Sequence, residues 1–320
     1  MTNEHAATSS ADRAAFAAGR GVCRRQARDL FFASYFLPKP KRDAAHAIGA
    51  FCLMIRGAVS IAQPTHGHDS PDARLDLLRD RLNDIYEGHL RLPDPESRAT
   101  EDHVLRAVAM TVHGFAVPRQ YFDEFAQACR DDATVVRYPT WPRLQSHCNG
   151  VGGAVAAMLG CVMGLTHSDV IRHLQTLGAA MRLTSILRSI RADAAARGRI
   201  YLPLEDMARY KYAERDLLNG QMNDAFRELM RFEVQRARRL YRSGSEGLCW
   251  LAGDGSRLGA ATAVVGAASH LDAIERSRYA VLGRQHSSTR LNLPERLLRL
   301  PRAMRLARRA AGEPIPASVF

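Results

Sequence analysis

Apolar residues recur along this chain mainly at three- and four-residue spacings, the period of a helix with one buried face. The pattern is densest in residues 178–206, GAAMRLTSILRSIRADAAARGRIYLPLED, where Met181, Leu183, Ile186, Leu187 and Ile190 mark the buried side of a long helix. Gly198 is placed to end that helix, and Pro203 prevents its continuation. Arg182, Ser185, Ser189 and Asp193 follow one another at spacings of three, four and four residues, so they share a face. A polar stripe on an otherwise apolar helix faces either solvent or a site.

The same period organises the rest. Residues 1–18 are small and polar and read as a flexible leader. A basic and apolar helical pattern covers 19–36 and closes at Leu37-Pro38-Lys39-Pro40. A second helix starts near Arg42 and buries Ala45, Ile48, Ala50, Phe51, Met54 and Ile55. A Pro/Gly/His/Asp loop is expected at 64–72, a helix at 74–90, and a break at Pro93-Asp94-Pro95. Helices follow over 100–113 and 118–130, then a turn at Tyr138-Pro139-Thr140-Trp141 with Thr140 as N-cap. One small-residue helix is predicted over 143–163, with Gly150, Gly152, Gly153 and Gly160 permitting close packing, and two further helices over 223–243 and 257–285. No repeat or linker interrupts the pattern, so 19–295 reads as one all-α domain, followed by a basic tail at 296–320.

Charge and cysteine usage narrow the classes. The net charge is +12, carried almost wholly by arginine, with lysine only at 39, 41 and 211. Such a balance suits nucleic acid, a membrane surface or an anionic small molecule. No nucleic-acid motif or aromatic-interleaved basic stripe is present, which argues against the first. In the tail, Arg296, Arg299, Arg302, Arg305, Arg308 and Arg309 alternate with Leu and Met. This reads as a solvated final helix or as peripheral contact with an anionic bilayer. Six cysteines lie singly without metal-ligand spacing, as buried reduced thiols do in a cytoplasmic protein. The longest apolar run, 151–165, is too short to span a bilayer.

Leu183-Thr184, Ile186-Leu187-Arg188, Asp193 and Arg197-Gly198-Arg199-Ile200-Tyr201-Leu202-Pro203 resemble the second signature of the squalene/phytoene synthase family. Leu37-Pro38, Arg42, Tyr86, Gly88, Pro93, Asp132, Tyr138, Thr140-Trp141, Cys148 and Gly153 extend the likeness over nearly the whole chain. The resemblance implies a single-domain isoprenoid-synthase helical bundle around a central cavity. It also implies head-to-head joining of two prenyl diphosphates held through Mg²⁺ on two Asp-rich helices.

The chain departs from that pattern where the chemistry lies. Arg182, Ser185 and Ser189 stand where the family has Gln, Asn and the first Asp of the second motif. In the first motif Leu53 replaces an arginine, and Arg56, Gly57 and Ser60 replace the aspartates. Mg²⁺ requires carboxylate oxygens, and of the acidic set only Asp193 and Asp132 remain as metal-ligand candidates. Arginine binds diphosphate through a planar donor fork without a metal. The expected diphosphate contacts are therefore Arg56, Arg182, Ser185 and Ser189, with Arg28, Arg284 and Arg290 added by the resemblance, and Mg²⁺ optional. The plainer reading has Arg56 and Arg182 merely pairing with Asp132, Asp193 or glutamates. His147 and His270, at two family tyrosine positions, are either pocket-wall residues or bases; Tyr201 adds a hydroxyl.

The function expected is a prenyltransferase. It takes one allylic diphosphate, dimethylallyl to farnesyl, and an aromatic or quinone-like small-molecule acceptor, with arginines stabilising the departing diphosphate. Two other readings stay open: a catalytically silent scaffold acting in binding or complex assembly, and a head-to-head squalene/phytoene-type synthase.

Overall fold

The helical period seen in the sequence carries into the structure, a computed structural model that describes residues 9–59, 70–89, 99–283, 292–315 and 319–320. In chain order the helices are α1 (Ser10–Gln26), α2 (Arg28–Ala33), α3 (Lys39–Val59), α4 (Pro71–Glu87), α5 (Thr100–Phe115), α6 (Arg119–Thr134), α7 (Trp141–Cys148) and α8 (Ala154–Met163). They continue with α9 (Val170–Arg197), α10 (Leu204–Arg209), α11 (Glu214–Leu218), α12 (Asp224–Ser245), α13 (Ser256–Arg276), α14 (Leu293–Leu297) and α15 (Leu300–Ala307). Among the described residues β pairing is limited to two isolated bridges, Arg137 with Ile200 and Leu165 with Leu251. The fold is all-α, as the periodicity predicts.

Several boundaries differ from the sequence expectation for local reasons. Residues 10–18 are not leader but the first half of α1, because Ser9 and Asp12 form a reciprocal capping box. Asp12 also pairs with Arg106 of α5 at 2.8 Å, which ties this helix to the bundle. The predicted 19–36 helix breaks at Ala27 (φ −124°), giving α1, α2 and a 3-10 turn at Ser34–Phe36. Of the 64–72 loop, residues 64–69 lie outside the described residues; Ser70 caps α4, and Pro71 and Asp72 stand in its first turn. The 93–95 break and Ser60 also lie outside them. The 257–285 helix stops at Arg276. The tail is not separate from the bundle: α15 buries Ala303 and Leu306 where it packs on α13.

The buried apolar residues form two clusters. One, built on α9, α12 and α13, includes Leu183, Ile186, Leu187, Met230, Tyr241 and Val265. The other, built on α1, α3, α5, α6 and α8, includes Ile48, Phe51, Ile55, Val108, Phe122 and Met158. They meet where the predicted 143–163 helix is interrupted by a π-helical turn, Asn149–Gly153. There Gly152 and Gly178 of α9 touch backbone to backbone. A Cβ on Gly152 would lie 2.1 Å from the Gly178 carbonyl oxygen, and one on Gly178 would lie 2.1 Å from that of Gly152. Only two glycines allow this approach. The turn brings Val151 of the second cluster to the lining of a cavity that Arg182 of α9 also lines.

Candidate active site

The cavity between the two clusters has a volume of about 550 Å³, within the usual range of small-molecule sites of roughly 300–1,000 Å³. Helix α3 contributes Leu53, Arg56, Gly57 and Val59; α6 contributes Cys129, Asp132 and Ala133; α9 contributes Arg182, Asp193 and Ala196. Arg199 and Tyr201 enter from the segment after α9.

That segment is positioned by its backbone. Gly198 takes φ +58°, which ends α9 as expected, with its N–H bonded to the Ala194 carbonyl. The chain then runs extended, with the Ile200 N–H on the Val136 carbonyl at 3.0 Å and the Leu204 N–H on the Tyr138 carbonyl at 2.9 Å. In an extended run alternate residues face one side. Arg199 and Tyr201 therefore point together into the cavity, while Ile200 and Leu202 are buried behind. Tyr138 stacks on the Tyr201 ring at 5.4 Å and holds its tilt.

Asp132 is the hub of the polar wall. Tyr201 Oη donates to Asp132 Oδ1 at 2.7 Å and accepts from Arg182 Nη2 and Arg199 Nη1, each at 3.1 Å. Asp132 Oδ2 lies 3.3 Å from Arg199 Nη1 and 3.7 Å from Arg182 Nη2. Burial pushes the Tyr201 phenol up to about 12, so it remains a neutral donor. Burial works against the charge of Arg182, but Tyr201 and Asp132 more than offset it and its pKa stays above the ordinary arginine value.

His147 has a defined role in this network. Its Nε2 receives N–H groups from Arg182 Nε at 3.1 Å and Nη2 at 3.0 Å. A guanidinium only donates, so Nε2 carries the lone pair and the proton sits on Nδ1. Burial and the adjacent Arg182 charge lower its pKa to about 3. His147 orients Arg182 and has no free lone pair with which to act as a base. His270, the other candidate base, lies apart: it is buried on α13, and its charged neighbours are Arg188, Asp29, Arg299 and Arg296.

The other expected site residues divide in the same way. Ser189 Oγ donates to Asp193 Oδ2 at 2.6 Å, so this part of the polar stripe does face the cavity. Ser185 is exposed, and its backbone carbonyl accepts from Ser189 at 3.0 Å. Arg28 is exposed at the start of α2 and is not among the cavity-lining residues; Arg284 and Arg290 lie outside the described residues. Arg56 projects from α3 into the cavity with no ion pair or hydrogen bond among the described residues. Sequence reasoning does not single out Arg199 as a site residue, because it stands inside a motif that reads as scaffold. Its position two residues before Tyr201 in an extended run is the signal that marks it. It is 5% exposed, and its Nε has no hydrogen-bond partner. An unpartnered buried donor on a cavity-lining side chain is a hydrogen bond that the protein does not supply.

The donor set does not fit a Mg²⁺ cluster. Mg²⁺ asks for octahedral oxygen ligands, including carboxylates. Asp132 spends both oxygens on Tyr201 and Arg199, and Asp193 stands alone, its pKa raised by burial despite its bond from Ser189. Among the described residues no three His, Cys, Asp or Glu side chains are grouped to hold a metal. Charge leans the other way: Arg56, Arg182 and Arg199 against Asp132 and Asp193 gives 3 − 2, a surplus of one positive charge.

The sequence profile described as squalene/phytoene synthase matches residues 23–296. The phytoene synthase of Arthrospira platensis is 32% identical over 279 residues, covering 83% of this chain and 85% of that protein. The 15-cis-phytoene synthase of Synechocystis sp. is 32% identical over 294 residues, covering 88% and 82%. A crystal structure of a dehydrosqualene synthase in complex with ligand superposes with a TM-score of 0.80 at 25% identity, covering 92% of this chain and 96% of that one.

Proposed function

The chain belongs to the squalene/phytoene synthase family, whose members are prenyltransferases acting on prenyl diphosphates, and from that premise we propose that it transfers the prenyl group of one allylic diphosphate to a second substrate that is not a diphosphate. The unpartnered Arg199 Nε, on a side chain that lines the same cavity as Arg56 and shares its one surplus positive charge, carries this reading. One diphosphate already brings more negative charge than that surplus offsets. A second would add the same load with no carboxylate set to bring in metal ions.

In this reading Arg56 and Arg199 grip the diphosphate, and Arg182, held by His147 and Tyr201, adds its field from behind. The carbon–oxygen bond breaks with its electron pair leaving on the diphosphate. Leu53, Val59, Cys129 and Val151 shelter the allylic cation. A π-electron-rich acceptor, aromatic or quinone-like, forms the new carbon–carbon bond. The proton it releases goes to Asp193, which has no ion pair among the described residues. This gives Asp193 a role in proton transfer rather than in metal binding.

The names of the relatives favour a second reading, head-to-head condensation of two prenyl diphosphates. The test is calorimetric titration with non-hydrolysable dimethylallyl, geranyl and farnesyl diphosphate analogues, in Mg²⁺ and then in EDTA. Binding of one equivalent that survives EDTA is the expected result. Two equivalents, with Mg²⁺ required, would establish the second reading instead. No binding in either buffer would leave the scaffold without this activity.

A further inference from the structure

The last two helices expose apolar side chains that a water-facing surface does not need. Leu298 is 79% exposed, Leu293 59%, Leu297 49% and Met304 39%. These four residues fall within twelve positions of chain. On α15 the exposed residues Pro301, Met304, Arg305 and Arg308 recur at i, i+3, i+4 and i+7 and form one face, while Ala303 and Leu306 are buried against α13. Leu293 and Leu297 lie one turn apart on α14, and Leu298 stands at the corner between the helices. The exposed apolar residues therefore gather where the two helices meet, with Leu298 the most exposed of them.

The charge carried by this segment is predominantly positive. Residues 293–309 hold six arginines and one glutamate, 6 − 1 or five net positive charges. Arg296 is paired with Asp29 and Arg302 with Asp272. Arg305 and Arg308 are exposed and have no carboxylate partner among the described residues. Exposed leucines flanked by arginines match the interfacial region of an anionic bilayer, where apolar side chains enter the acyl boundary and cations meet the headgroups.

We propose that the α14–α15 corner docks this protein on an anionic lipid surface, with Leu293, Leu297, Leu298 and Met304 inserted and Arg305 and Arg308 on the headgroups. No helix among the described residues is long and apolar enough to cross a membrane, so the contact is peripheral. A second copy would pair like charges across the contact, whereas an anionic surface meets Arg305 and Arg308 with opposite charge. The second copy is tested alongside.

The experiment is co-sedimentation of the full chain with phosphatidylcholine vesicles, with and without phosphatidylglycerol, together with light scattering in the absence of lipid. The wild type is expected to bind only the phosphatidylglycerol vesicles, and less at high salt. The variant Leu293→Ser/Leu297→Ser/Leu298→Ser should bind about tenfold or more weakly, while circular dichroism reports an unchanged fold. Arg305→Glu/Arg308→Glu should weaken binding and flatten its salt dependence. The proposal fails if the wild type ignores anionic vesicles, or if the folded leucine variant binds them as well as the wild type. It also fails if the leucines instead hold a dimer that the triple variant dissociates.

Discussion

Two charge clusters in this bundle have opposite balances. Around Asp132, two arginines and a tyrosine share one carboxylate. Around Arg236, one guanidinium lies 2.6 Å from Glu233 and 2.8 Å from Asp206, stacked 4.4 Å from the Trp141 ring. The first borders open volume and leaves an arginine donor unpartnered; the second is closed in the core and leaves Glu233 Oε2 unpartnered. In the closed cluster the surplus is removed by a proton, since burial pushes the Glu233 carboxyl up to about 8. An arginine cannot shed its charge in this way. A cationic surplus beside a cavity therefore persists until an anion arrives, which is why the first cluster reads as a site and the second as structure.

The comparison can be broken at its structural side first. Arg236→Ala leaves two buried carboxyls without their cation and should cost about 3–5 kcal/mol, visible as a large fall in Tm with any residual folded protein still binding diphosphate. The pH dependence comes next. Glu233 ionises near 4.5 when unfolded and near 8 when folded, so the native state holds the extra proton between these values. Stability from this group therefore falls as pH rises from about 4.5 to about 8 and is level above. Buried His147 and His270, lowered to about 3 and about 4, act in the opposite sense below pH 6.5, so the difference between wild type and Glu233→Gln isolates the carboxyl. That difference should grow by a few kcal/mol in favour of the variant across the window, as measured by urea unfolding.

On the cavity side, Arg56→Ala and Arg199→Ala should each weaken binding of a farnesyl diphosphate analogue by about 1.5–3 kcal/mol. Arg56 is exposed, so its variant should keep the wild-type Tm; Arg182→Ala should lose both affinity and stability, because His147 and Tyr201 lose their partner. Unchanged calorimetric affinity in the Arg56 and Arg199 variants would remove the contrast. The smallest effect expected is from Tyr201→Phe, about 1 kcal/mol of stability from the lost Asp132 bond.

Much of this architecture is written in local sequence. The α9 stripe, its Gly198 stop and the apolar periods of α3 and α12 need only helix geometry to be read. The Ser9–Asp12 capping box was equally legible and was obscured by the small, polar composition around it. The π-helical turn was not legible, because Gly150, Gly152 and Gly153 read as packing residues whether or not the helix is interrupted. The site was half legible: residues sharing a helix face could be grouped, as Arg182, Ser189 and Asp193 were. Contacts between elements could not. Arg182 occupies His147 at a separation of 35 residues, and Tyr201 holds Asp132 across 69, so the partners that decide each role are set by packing alone.

The Gly152–Gly178 contact has a practical consequence for redesign. The two walls of the cavity are riveted at a point where no side chain separates them, so their spacing there cannot be adjusted by exchanging one residue for a larger or smaller one. Any attempt to enlarge the cavity has to work instead on its side-chain lining, at Leu53, Val59 or Cys129, where trimming a side chain adds room without prising the two halves of the bundle apart.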